Sequence, residues 1–160
     1  MAYMPLNKAP QLLDDSTMPK IYDLSMPWGV DTPLWPFPGA RQDLVFPRGQ
    51  YLGRFHKRTM TYTGTLHAGT HMDAPAHMMD GAPTLDSFGP DRFVGRGYVL
   101  DCRGLSQIPL DLLLRHEAAI RDADFLLFCT GWDQYWGTDA YYEGFPCLTE
   151  EAARFVAGLP

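Results

Sequence analysis

The sequence predicts one domain of mixed α and β structure, and three stretches carry that prediction. Residues 59–66 place threonine at every odd position, 59 to 65, with Met60, Tyr62 and Leu66 at even positions. Such alternation reads as a strand with one polar and one apolar face. Residues 125–129, FLLFC, are a short apolar run of the kind that makes a buried strand. Thr149, followed by Glu150 and Glu151, opens a helix: the hydroxyl can cap it, and the acids suit the positive end of its dipole. Strands and helices interspersed in this way suit an α/β domain.

The remaining elements follow in chain order. Residues 1–20 are polar and broken by proline, and read as an irregular N-terminal arm. Residues 21–25, IYDLS, form a short strand candidate ended by Pro27. Between Met26 and Pro38 the chain crowds Pro27, Trp28, Pro33, Trp35, Pro36 and Pro38 together, which excludes regular helix and gives a stiff loop. Indoles on such a loop can wall a site for a flat substrate; Trp28 reads instead as a cap on the core. Residues 41–55 read as loop. After the 59–66 strand, Gly69 permits a turn at Ala68-Gly69, and Pro75 pushes Ala74 toward extended geometry. Residues 79–90 are turn-rich and expected to wrap the neighbouring cluster. Residues 94–101 are a strand candidate interrupted by Gly95 and Gly97. Asp111 is expected to cap a helix reaching Glu117 or beyond. The final helix runs from Thr149 until Gly158 and Pro160 stop it.

Composition narrows the function classes. The chain has 160 residues, 46% of them hydrophobic and 20% charged, enough for a folded core. The net charge is −6 and no basic run exceeds Lys57-Arg58, so nucleic acid is not an expected partner. No apolar run approaches the ~20 residues that cross a bilayer, and no membrane partner is expected. The N-terminus lacks a basic start followed by an apolar core, so no secretory signal is read there. Cys102, Cys129 and Cys147 show no paired spacing, which fits free thiols in a reducing, cytoplasmic compartment, each read as a small buried apolar group.

The chemistry concentrates in residues 67–77. Three of the five histidines, His67, His71 and His77, lie there, with Asp73 between the last two. All four positions are odd, so in an extended chain they begin on one polar side. A helix would also bring His67 and His71 together, but Gly69, Pro75 and the preceding threonines favour a strand breaking into a turn. Two imidazoles and a carboxylate suit a divalent transition metal and leave coordination positions open for water. The stretch has no cysteine, which argues against a closed structural zinc site.

The run HAGTHMDAPAH from His67 to His77 resembles the H-x-G-T-H-x-D-x-P-x-H signature of the bacterial cyclase family of metal-dependent hydrolases, which includes kynurenine formamidase and isatin hydrolase. The resemblance implies that His67, His71 and Asp73 bind metal, Zn²⁺ or Mn²⁺ with one or two ions per site, and that His77 is the catalytic acid/base. It implies a swivelling β/β/α fold with a mixed, barrel-like sheet. Leu34-Trp35-Pro36 resembles the family's Trp-Pro step, which places Trp35 against substrate, although Phe37-Pro38 follows where Gly-Asp is frequent. Thr130-Gly131-Trp132 resembles a family turn near the site, which adds Trp132.

Family members continue into a late histidine and a late glutamate that complete the metal shell, whereas this chain ends at Pro160. The expectation is therefore the front portion of a cyclase-like domain, residues 21–160, incomplete at its C-terminus. His116, read as a surface residue in a helix, and His56, read as an exposed strand end, do not substitute for the late ligands, and Glu143 is a weak candidate. The implied activity is metal-dependent hydrolysis of an aromatic amide, cleaving a C–N bond other than a peptide bond. N-formylkynurenine is the first substrate and an isatin-like cyclic amide the alternative. A non-catalytic metal-binding subunit is the reading from another class. Family members tend to be homodimers or higher homo-oligomers, and the same is expected here.

Overall fold

The structure, a computed structural model, describes residues 20–38, 40, 42–45, 50–52, 55–57 and 61–160, with backbone alone for 44–57. The arm expected over residues 1–20 thus lies outside the described residues, except for Lys20.

Eight strands and three α-helices are described. The strands are β1 (Gln42–Val45), β2 (Gln50–Leu52), β3 (Phe55–Lys57), β4 (Thr61–Gly64), β5 (Gly97–Asp101), β6 (Gln107–Ile108), β7 (Phe125–Cys129) and β8 (Cys147–Leu148). The helices are α1 (Leu110–Arg115), α2 (Glu117–Asp122) and α3 (Glu150–Ala157). Mixed α and β structure is therefore present. Among the described residues the strands form four two-stranded sheets, none of them closed: β1–β4 and β2–β3 antiparallel, β5–β7 and β6–β8 parallel.

The core sits where α1, α2 and α3 cover one face of the β5–β7 pair. Leu100, Cys102, Ile108, Leu113, Ile120 and Ala152 are buried there, with Tyr98, Leu126 and Phe128 packed against them. The period-2 rule explains the selection. Register pairs Tyr98 with Leu126 and Leu100 with Phe128, so all four share the helix-covered face. Val99 and Leu127, paired on the opposite face, remain 62% and 42% exposed. The apolar run 125–129 is thus a strand with the expected bounds, covered on one face instead of two.

The C-terminal helix forms as its sequence directs. The Thr149 hydroxyl accepts from the Ala152 amide, Glu150 and Glu151 occupy the first turn, and Gly158 ends the helix with its N–H bonded to the last carbonyls. The helix expected from Asp111 is instead two short ones. Pro109 occupies the N-cap position of α1; Asp111 sits inside the first turn and pairs with Arg115 at 2.7 Å. The break falls at His116, whose Nδ1 meets the Tyr98 hydroxyl at 2.7 Å. His116 is therefore half-buried against the core sheet, not a surface residue.

Other expectations are corrected by pairing or by local hydrogen bonding. Residues 21–25 form no strand, and Ile21 and Leu24 are almost fully exposed. The Asp23 carboxylate takes the Ser25 amide at 2.9 Å, closing a local turn in place of a ladder, and that bond lowers the Asp23 pKa. Residues 41–55, read as loop, contain β1 and β2 and the start of β3, which find partners in β4 and in each other. His56 lies within β3, and its side chain is outside the described residues. Strand β5 begins at Gly97, not at residue 94. Of the three cysteines only Cys102 is buried, and burial raises its thiol pKa; Cys129 and Cys147 are exposed.

Candidate active site

The four odd-numbered side chains do converge, but turns gather them. Strand β4 stops at Gly64, three residues short of His67, and Thr59 and Met60 lie outside the described residues. Within β4 the expected alternation holds, with Thr61 and Thr63 exposed and Tyr62 half-buried. The chain then bends, and the Tyr62 hydroxyl donates to the Thr65 carbonyl at 2.6 Å.

The proline- and tryptophan-rich loop fixes the next turn. Leu34 bridges Ala68 antiparallel, and the Met26 amide donates to the Thr70 hydroxyl at 3.0 Å. Thr32, buried, closes its own loop by accepting the Gly29 amide at 2.7 Å. Between these ties Gly69 takes φ +66°, and a Cβ there would stand 3.3 Å from Trp28 Cδ1. Trp28 is 46% exposed and stands edge-on to Tyr62, so it braces the site turn and does not cap the core. Gly69→Ala is expected to cost about 1–2 kcal/mol through the left-handed backbone, and to lower metal affinity as the turn shifts. Paired chemical unfolding and metal titrations check this, with unchanged values in both ruling out the turn's role.

His77 is carried by a second turn, the 3₁₀ segment Pro75–His77. Ala74 ahead of it is extended at φ −84° and ψ 157°, as a following proline requires. Residues 79–90 fold back onto this turn through the Ala76 amide, which donates to the Pro83 carbonyl at 3.1 Å.

These turns bring ligand atoms of His67, His71 and Asp73 within 4.8 Å of one another. His67 Nδ1 lies 2.7 Å from Asp73 Oδ1, and His71 Nε2 lies 3.6 Å from the same oxygen. His71 Nδ1 is 2.8 Å from the Gly69 carbonyl. A carbonyl only accepts, so Nδ1 carries a hydrogen there and Nε2 is the ring nitrogen that faces Asp73. His77 is not one of the three grouped ligands but lies against them, with its ring centroid 4.1 Å from that of His67. All three candidate ligands are part-exposed, so solvent reaches them.

Beside the trio lies a cavity of about 340 Å³. His67 and His71 form part of its wall, and Trp35 and Trp132 both line it. The Trp132 indole is held by donating from Nε1 to the Tyr141 carbonyl at 3.0 Å. Sequence reasoning missed Trp136, Tyr141, Tyr142 and Phe145, which complete the wall. A signal was present: residues 132–145 carry six aromatic side chains. Glu143 is exposed and outside the cluster.

The Cyclase family model matches residues 22–159. No curated protein matches the chain. Among solved structures, an isatin hydrolase bound to the product analogue thioisatinate has the same fold, with a TM-score of 0.65 at 23% identity. The match covers 85% of this chain, which spans 62% of the length of that one. The family match takes in the two turns, the trio they gather and the aromatic segment beside it, and on it the chain belongs to the Cyclase family.

Proposed function

We propose that the chain is a metal-dependent hydrolase acting on the C–N bond of an aromatic amide. The observation that carries this is the convergence of two imidazoles and one carboxylate at the mouth of an aromatic cavity. The donor set fits a divalent ion such as zinc or manganese: it mixes nitrogen and oxygen, one imidazole is oriented by a carbonyl, and its exposure leaves room for water and substrate. Such an ion, held by His67, His71 and Asp73, would acidify water and polarise the scissile carbonyl.

The chain's own residues then divide the work. His77, close to the trio but outside it, takes a proton from water on an imidazole nitrogen and delivers it to the departing amide nitrogen. The new C–O bond replaces the C–N bond, and the proton leaves with the amine. Trp35, with Trp132 behind it, offers aromatic surface to the substrate ring. N-formylkynurenine-type amides and isatin-like cyclic amides both belong to this class. The barrel-like sheet of the family and a homo-oligomeric assembly are part of the same proposal.

His77→Ala tests the assignment. It is expected to retain metal, measured by elemental analysis, while turnover of an aromatic formamide falls roughly 10²–10⁴-fold. Survival of turnover would remove His77 from the acid–base role. Metal retention by the unaltered chain without turnover would make it a binding module.

A further inference from the structure

The parallel strands β5 and β7 end side by side, and each runs into a turn. Just past β5, the Cys102 amide donates to the Cys129 carbonyl at 2.8 Å. The chain then turns through Arg103 and Gly104, and the Leu105 amide donates back to the Cys102 carbonyl at 3.2 Å. Past β7 the chain turns through Thr130 and Gly131 into Trp132. The carboxyl ends of parallel strands are where open α/β sheets place ligands. Trp132 lines the cavity beside the trio and an adjoining one of about 670 Å³.

Arg103 joins the two turns. A Cβ on Gly131 would stand 3.3 Å from Arg103 Cγ and 3.6 Å from its Cδ, so the arginine stem lies against the second turn. Gly131 has φ +70°, in the left-handed region that glycine enters without strain. The guanidinium is anchored two residues back. Nε donates to Asp101 Oδ1 at 2.9 Å and Nη2 to Oδ2 at 2.7 Å, and the Arg103 amide adds a bond to Oδ1 at 3.1 Å. These bonds hold the Asp101 carboxyl down at about 2, so both partners are charged at neutral pH. The side chains are 67% and 60% exposed, and a pair so exposed adds little to stability. Its effect is local: the two-point fork removes the freedom of a long side chain, and that side chain covers the turn before Trp132.

On the reading of this site as an aromatic-amide hydrolase, we infer that Asp101 and Arg103 are positioning residues: the anchored arginine stem braces Gly131 and so sets how Trp132 meets the substrate ring. Neither residue lines the cavity beside the trio, so both act through the turn. The turn passes its order on by short bonds. The Thr130 hydroxyl accepts the Trp132 amide at 3.3 Å, and the Gln134 side chain donates to the Gly131 carbonyl at 2.9 Å. The indole itself is tied only at Nε1, to the Tyr141 carbonyl, and leans on Tyr135 with ring centroids 4.6 Å apart. A shift of Gly131 therefore pivots the ring about those two contacts.

The test releases the anchor from either end. Asp101→Ala and Arg103→Ala are each expected to raise KM about 3- to 10-fold, the reach of one aromatic contact, with kcat within about 2-fold. The substrate is the better used of formanilide and N-formylkynurenine, on the zinc-loaded protein. In a Trp132→Ala background, Asp101→Ala should change KM by less than about 2-fold, because effects that pass through one residue do not add. Zinc affinity should hold in both variants. A separate readout needs no turnover. Acrylamide quenching of each protein is compared with that of its Trp132→Phe counterpart, which isolates the Trp132 emission. Asp101→Ala should raise quenching of that emission about 2-fold, as the ring gains nanosecond freedom. Unchanged KM in either variant, an equal rise in the Trp132→Ala background, a loss of zinc affinity or unchanged Trp132 quenching overturns the inference. If quenching rises as expected and neither amide is hydrolysed, the hydrolase reading fails and the bracing of Trp132 stands.

Discussion

Asp73→Ala is expected to weaken zinc or manganese binding by at least about 100-fold and to abolish hydrolysis with it. Loss of an outer-shell partner of a metal ligand alone typically costs 10- to 100-fold, and a direct ligand stands at or above the upper end of that range. Asp73 contributes the anionic donor of the trio, and its Oδ1 is the atom both histidines approach, at 2.7 and 3.6 Å. Without it two neutral imidazoles face the ion, and the His67 ring loses its nearest hydrogen-bond partner. Asp73→Asn keeps the shape and removes the charge, so its affinity should fall between the two. Asp80→Ala serves as the control, being exposed, acidic and outside the cluster. Competition against a chromogenic chelator reads all four proteins. Unchanged affinity in Asp73→Ala would mean that the ion, if bound, sits elsewhere.

Leu113→Ala is expected to destabilise the fold by about 2–5 kcal/mol, the cost of deleting a buried leucine and leaving the space it filled. Leu113 is fully buried in α1, in the cluster that includes Leu100, Ile120 and Ala152. It holds the helices onto β5 and β7, and β7 leads directly into the turn that carries Trp132. The neighbouring Leu114 is 48% exposed, and Leu114→Ala should change stability by no more than about 0.5 kcal/mol. Urea unfolding of both variants separates the two cases. A Leu113→Ala protein as stable as its Leu114 counterpart would mean that the helix layer is not the core.

The trio was legible because it is local. His67, His71 and Asp73 span seven residues, and their types alone indicate metal chemistry. The geometry was less legible: strand alternation put the four side chains on one side, but the gathering is done by a left-handed Gly69 and the Pro75–His77 turn. The turn at Gly69 and the extended Ala74 before Pro75 were readable, while the 3₁₀ turn at Pro75–His77 and the clamp of the 26–34 loop across residues 68–70 were not. Strands β1 to β3 escaped for a related reason. Their segments are short and weakly patterned, and a strand is stabilised by its partner, here β4 for β1. His116 looked like an exposed helix residue until Tyr98, eighteen positions earlier, took its Nδ1.

By itself the sequence determined the capped helix after Thr149, the 125–129 strand, the turn at Gly69 and the extended Ala74 before Pro75, because each depends on groups a few residues apart. Only the tertiary structure decided that Trp35 meets Tyr142 and Phe145, that the core sheet is covered on one face among the described residues, and that a cavity lined by aromatic side chains lies beside the trio. Contacts between distant positions depend on closing long loops against chain entropy, and which closures win is settled by the packing of the whole domain.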